Sequence, residues 1–111
     1  MPEPKTSVAQ AERRLYPRYQ VQIPILIEPE GAAEPLSLTT SVISACGCSV
    51  MMADQLPLGH RLLARLSLGK DHVFIQARVI TRHPQFGNGI MFLRFEGDGE
   101  DRLRRYLEGL S

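Results

Sequence analysis

Arg61-Leu62-Leu63-Ala64-Arg65-Leu66-Ser67-Leu68-Gly69-Lys70-Asp71-His72-Val73-Phe74-Ile75-Gln76-Ala77-Arg78-Val79 decides the fold class. In its first half Leu62, Ala64, Leu66 and Leu68 alternate with Arg61, Arg65 and Ser67, a period of two that gathers the aliphatic side chains on one face of a strand. In its second half Val73, Ile75, Ala77 and Val79 form one face, with Gln76, Arg78 and Arg82 on the other. Gly69-Lys70-Asp71 between them reads as a hairpin turn. Two half-buried strands joined this tightly describe an antiparallel sheet with one face on a core.

Working outward, the same period recurs. Tyr19, Val21, Ile23, Ile25 and Ile27 fall at every second position, opposed by Gln20, Gln22 and Glu28, and predict a first strand. Pro24 inside it predicts an edge position or a bulge. Residues 28–35 are a turn-forming loop, after which Leu36, Leu38, Thr40 and Val42 alternate with Ser37, Thr39 and Ser41 as a second strand. Ser44-Ala45-Cys46-Gly47 breaks it; Cys48, Val50 and Met52 begin a third, and residues 54–59 turn again. Beyond the central hairpin, residues 84–89 are read as a turn and 90–95 as a strand covered on both faces. The ending changes period: Leu103, Tyr106, Leu107 and Leu110 have helical spacing, with Arg102, Arg104 and Arg105 outward. Asp98 is the expected N-cap and Asp101 a weak capping-box partner. The expected fold is all-β with one C-terminal helix: a six-stranded antiparallel β-barrel with the helix against an open side or end.

A chain of 111 residues with 43% apolar and 23% charged residues has the composition of one globular domain. Residues 1–11, polar and without periodicity, are expected to be a mobile tail, and 12–111 the barrel domain. No stretch has signal-peptide character or the ~18 apolar residues of a membrane helix, so a cytoplasmic protein without membrane insertion is expected. The net charge of +1 is too small for a protein that coats duplex nucleic acid. It is unevenly spread: residues 1–20 carry Lys5, Arg13, Arg14 and Arg18 against Glu3 and Glu12, whereas residues 21–59 contain no lysine or arginine. A basic arm on a near-neutral body suits a small anionic ligand better than a polymer.

Catalysis and metal binding are poorly supported. His60, His72 and His83 fall at strand ends or turns without a nucleophile motif, and no enzyme activity is expected. Cys46 and Cys48 supply half a zinc site with no histidine pair to complete it, so no metal is expected. Their spacing in a strand would place both on one face, reduced and buried. Gly87-Asn88-Gly89 precedes a strand rather than a helix, which favours a hairpin over a phosphate loop.

Two stretches remain. Glu12-Arg13-Arg14-Leu15-Tyr16-Pro17-Arg18-Tyr19 packs three arginines into six residues, and Pro17 disfavours helix there. Extended backbone lets Arg14 and Arg18 converge on one object, and guanidinium pairs in a planar fork with phosphate oxygens or with the O6 and N7 of guanine. Ser44-Ala45-Cys46-Gly47, between two strands, offers a hydroxyl and amides, with Gly47 permitting close backbone approach.

Arg14-x-x-x-Arg18 ahead of the first strand, Ser44-x-x-Gly47 one hairpin later, six strands and a closing helix together resemble the PilZ domain family across residues 12–110. The doubled Arg13-Arg14, the Leu58-Gly59 turn and Gly89-Ile90-Met91-Phe92 are similar to the family as well. PilZ domains are bacterial cyclic di-GMP receptors on a six-stranded β-barrel, with the motifs Arg-x-x-x-Arg and Asp/Asn-x-Ser-x-x-Gly. The resemblance implies that Arg14 and Arg18 grip the ligand's phosphates and guanine edges, and that Ser44 and Gly47 form a wall. It implies that Arg13 bears on whether one nucleotide or an intercalated pair is bound. The chain departs from the pattern at Val42, where the second motif begins with Asp or Asn.

The expected function is therefore a cyclic di-GMP receptor and adaptor that signals by docking on an effector protein. The alternative is a degenerate PilZ-type interaction module that binds no nucleotide and acts in a pilus, flagellar or secretion assembly. A barrel binding single-stranded nucleic acid is a third reading, opposed by the seven aromatic residues and the lack of a stacking stripe.

Overall fold

The computed structural model describes residues 17–52, 56–83 and 87–110. The central hairpin forms as read: β4 (Arg61–Leu68) pairs antiparallel with β5 (Asp71–His83), and Leu68 faces Asp71 across a two-residue turn. Gly69 has φ of 67° and, among the described residues, no non-glycine residue has positive φ, the pattern of a type II′ turn, which matches the twist of the flanking strands. Around this hairpin lie β1 (Pro24–Pro29), β2 (Leu36–Ser44), β3 (Gly47–Val50) and β6 (Gly87–Phe95), followed by the helix α1 (Gly99–Glu108). The strands form a closed antiparallel barrel in the order β1-β2-β3-β6-β5-β4, with β4 returning to β1.

Closure makes the period-two pattern a core. Ile25, Ile27, Ile43, Val50, Leu62, Ala64, Leu66, Val73, Ile75, Ala77, Val79 and Ile90 are buried. Large and small residues alternate across the central ladder, Leu62 against Ala77 and Ala64 against Ile75, so that side chains from all round a narrow barrel fit without voids. α1 buries Leu103 and Leu107 against this core, and Gly99 approaches Val73 so closely that a side chain there would have to displace it, with Phe95 in contact beside it.

Several local expectations are corrected. The first strand's regular pairing begins at Pro24 rather than Tyr19; a closed barrel has no edge, and Pro24 is tolerated as the opening residue of β1, opposite Thr39. The third strand ends at Val50, short of Met52. Cys46 is exposed while Cys48 is buried, because Ser44 pairs with Gly47 and leaves Ala45 and Cys46 as the turn. Burial pushes the Cys48 thiol up to about 12, well outside the reactive range.

Asn88 and Gly89 are in β6, not in a turn, and Asn88 is fully buried. Its Oδ1 accepts the Leu56 N–H (3.1 Å), and its Nδ2 donates to the carbonyls of Leu56 and Thr81 (both 3.3 Å). Asp98 makes no side-chain cap; its carboxylate accepts from Arg102 Nε at 2.9 Å, which holds it below the usual carboxylate range. Arg102 is accordingly not simply outward, since it also donates to the His72 carbonyl (3.0 Å) and ties α1 to the β4–β5 turn. Leu110 is 45% exposed rather than packed with the other helical leucines.

The segment leading into β1 is laced to β2. Tyr19 and Ile43 exchange both main-chain hydrogen bonds, at 2.8 and 2.9 Å. The buried Thr40 then does with its side chain what a backbone carbonyl does elsewhere: Oγ1 accepts the Ile23 N–H (3.0 Å) and donates to the Val21 carbonyl (2.8 Å). The β2–β3 register shifts between Thr40 and Val42, a bulge that accommodates this lacing.

Asn88→Ala would leave main-chain groups of Leu56 and Thr81 unpaired and is expected to lower the stability measured by urea denaturation by about 1–3 kcal/mol. Thr40→Val keeps the shape and removes the hydroxyl, with an expected loss of about 1–3 kcal/mol and faster amide exchange at Ile23; Thr40→Ser retains both properties.

Candidate functional site

The Tyr19–Ile43 pair fixes where the arginine segment meets the barrel. Its antiparallel register brings Arg18 abreast of Ser44 and Gln20 abreast of Val42. Between the segment and β2 opens a hollow of about 850 Å³ lined by Arg18, Tyr19, Gln20, Val21, Val42 and Leu110. Arg18 is exposed, and no carboxylate among the described residues forms an ion pair with it. Among the described residues its guanidinium thus has no counter-charge beside an open hollow, the arrangement that favours an incoming anion.

The second motif is also engaged, but inwardly. The buried Ser44 hydroxyl accepts the Cys46 N–H at 3.2 Å and lies 3.4 Å from the Gly47 carbonyl and 3.3 Å from Cys46 Sγ. It therefore holds the turn shut. Gly47 lies against β6 so closely that a Cβ would collide with the Ile90 carbonyl oxygen. Both residues thus have a role in shaping this wall before any ligand is considered. Val42 is half-buried and presents an aliphatic side of the hollow where the family motif has a carboxylate or amide. Arg13 and Arg14 lie outside the described residues.

Two contributors were not picked out from the sequence. Thr40 had a signal, being a hydroxyl on the face otherwise formed by Leu36, Leu38 and Val42. Leu110 had none, because helical spacing identifies an apolar face without showing which part of the barrel it reaches.

His60 Nε2 is 2.9 Å from the Glu30 carbonyl, a contact between loops, and His72 Nδ1 is 3.4 Å from Ser67 Oγ, its cross-strand partner in the β4–β5 ladder. Among the described residues no group of three or more His, Cys, Asp or Glu side chains is arranged to hold a metal ion. No helix among them is long and apolar enough to cross a membrane.

Comparison with known proteins agrees with this architecture. A solved structure of a Bacillus subtilis inhibitor of motility, MotI/DgrA, is similar at a TM-score of 0.68 and 21% identity, over 88% of this chain and 50% of that one. The chain thus spans about half the length of that protein. The PilZ domain of CeSA from a cellulose-synthesizing bacterium matches at a TM-score of 0.63 and 21% identity, over 84% of this chain and 96% of that one. At such identities the likeness is one of fold. No curated protein sequence matches the chain. The model of the PilZ domain matches residues 12–109, from the arginine segment through the terminal helix, and the chain belongs to the PilZ domain family, whose members are in general cyclic di-GMP receptors.

Proposed function

We propose that this protein is a cytoplasmic cyclic di-GMP receptor that works as an adaptor, capturing the nucleotide between its arginine segment and the wall of β2 and signalling by docking on an effector protein. The observation that supports this best is the exposed Arg18 guanidinium, without an ion pair among the described residues, beside the hollow at Val42. At about 850 Å³ the hollow falls within the roughly 300–1,000 Å³ of small-molecule sites. Cyclic di-GMP is doubly anionic and presents two guanine edges. Arg14 and Arg18 would each pair with a phosphate or with O6 and N7 of a guanine, and Arg13 would bear on how many nucleotides are held. Ser44 and Gly47 contribute a bend whose hydroxyl and close strand contact keep the wall in place. No catalytic residue is assigned, and the nucleotide acts as ligand rather than cofactor.

Val42 favours a second reading, an interaction module that works without nucleotide in a pilus, flagellar or secretion assembly. Losing one bidentate base contact costs about 1–3 kcal/mol, or roughly ten- to a hundredfold in affinity. That loss weakens binding without removing the phosphate contacts, so the receptor reading stands first.

Isothermal titration with cyclic di-GMP separates the two. Binding by the native chain is expected, with at least a roughly tenfold loss in Arg18→Ala and a roughly tenfold gain in Val42→Asp. No heat from the native chain at about tens of micromolar, where the titration resolves complexes near −6 to −8 kcal/mol, would overturn the receptor reading. Binding that appears only in Val42→Asp would establish the module reading in its place.

A further inference from the structure

The outer wall formed by β4, β5 and β6 has features that nucleotide capture does not use. Arg61 stands directly opposite Arg78, Arg65 opposite Phe74, and Leu63 opposite Gln76, which is in turn beside Arg94. Like charges facing each other across a ladder destabilise it. Among the described residues no ion pair relieves them: the two that form, Asp98–Arg102 and Glu100–Arg104, are local to α1. Leu63 and Phe74, 51% and 45% exposed, lie among these cations.

A hollow of about 610 Å³ opens at this point, with Leu26, Leu63, Arg65, Phe74 and Arg94 in its lining. Glu28 and Glu96 also border it, but neither forms an ion pair with a guanidinium among the described residues. Inside, Arg65 Nε is shut off from solvent and has no hydrogen-bond acceptor. A buried donor left unpaired is a standing cost, and on a cation it is a larger one. The terminal nitrogens of the same guanidinium are not closed off in this way, and a carboxylate entering the hollow would pair with them.

The occupant follows from the geometry. A closed barrel offers no free strand edge, so a peptide cannot be added as a further strand and must dock through side chains. A chain of net charge +1 is ill suited to a nucleic acid polymer. We infer that the outer face of β4–β5–β6 docks an acidic amphipathic helix of a partner protein, its carboxylates on Arg61, Arg65 and Arg78 and its aliphatic side chains on Leu63 and Phe74. In the six-strand ring β5 is three places from β2, so this wall faces away from the Arg18 hollow and both can be occupied together. The inference names the kind of partner for the docking step proposed above and rests on that reading only for the link to nucleotide.

The test uses the full chain and a fluorescein-labelled helical peptide of about 18 residues, or five turns, with a leucine stripe flanked by glutamates. Its control carries glutamine in place of every glutamate. Fluorescence anisotropy at low salt is expected to show binding of the acidic peptide and roughly tenfold weaker binding of the control. The Arg65→Gln/Arg78→Gln double variant, checked for native circular dichroism, is expected to weaken the acidic peptide by roughly tenfold or more. Amide shifts on peptide addition should fall on β4 and β5, and saturating cyclic di-GMP should not displace the peptide. Equal binding of both peptides, shifts centred on β2, or displacement by the nucleotide would overturn the inference. So would co-sedimentation with phosphatidylglycerol vesicles in place of peptide binding, or self-association abolished by the double variant. Because the peptide is read without nucleotide, its failure and a failed nucleotide titration are separate results.

Discussion

Pairing of β1 with β4 is the constraint on which the molecule depends. Those two strands are far apart in sequence, and their ladder, Ile25 opposite Leu66 and Ile27 opposite Ala64, closes the sheet β1-β2-β3-β6-β5-β4 into a cylinder. Once it is closed, every second side chain of every strand must share one narrow interior. This is why β-branched and small residues dominate there and why a single buried amide such as Asn88 has to find all its partners within reach. It also turns the remaining side chains outward onto a continuous wall, where the protein's chemistry must be built from what stands abreast on neighbouring strands. Two parts of that wall stand out. Beside β2 an arginine with no ion-pair partner among the described residues overlooks a hollow with an aliphatic side, and around β5 a row of arginines encloses exposed Leu63 and Phe74.

The strands were legible because alternation is a direct consequence of having one dry face, and the central hairpin carried its own turn signal in Gly69. What failed to show was local. Gly87-Asn88-Gly89 has the composition of a turn, yet the same residues serve a strand that passes close to a neighbour and clamps a crossing segment. Asp98 is the residue type of a helix cap and equally of an ion pair with the next turn; Arg102 decided between them. Cys46 and Cys48 share a face only if both lie in the strand, and the turn ends one residue too late for that.

The candidate site was legible to a similar depth. The arginine cluster, its order relative to the Ser44–Gly47 turn and the resemblance to the PilZ family pointed to Arg18 and to that bend, and the Tyr19–Ile43 pair brings them abreast. Sequence did not reveal that Ser44 spends its hydroxyl on its own turn, because a serine that closes a bend and one that contacts a ligand look the same in a row of letters. Nor did it reveal the part of Thr40, whose role depends on which backbone crosses it.

The Arg102 contacts have a mechanical consequence. One end of α1 is stitched through Arg102 to the carbonyl of His72, while residue 110, just past its other end, borders the Arg18 hollow. Ten helical residues, about 15 Å of stiff rod, therefore run between the two outer walls as a strut. Leu103 and Leu107 seat that rod in the interior between the two points, so a displacement at either one has to work against their packing.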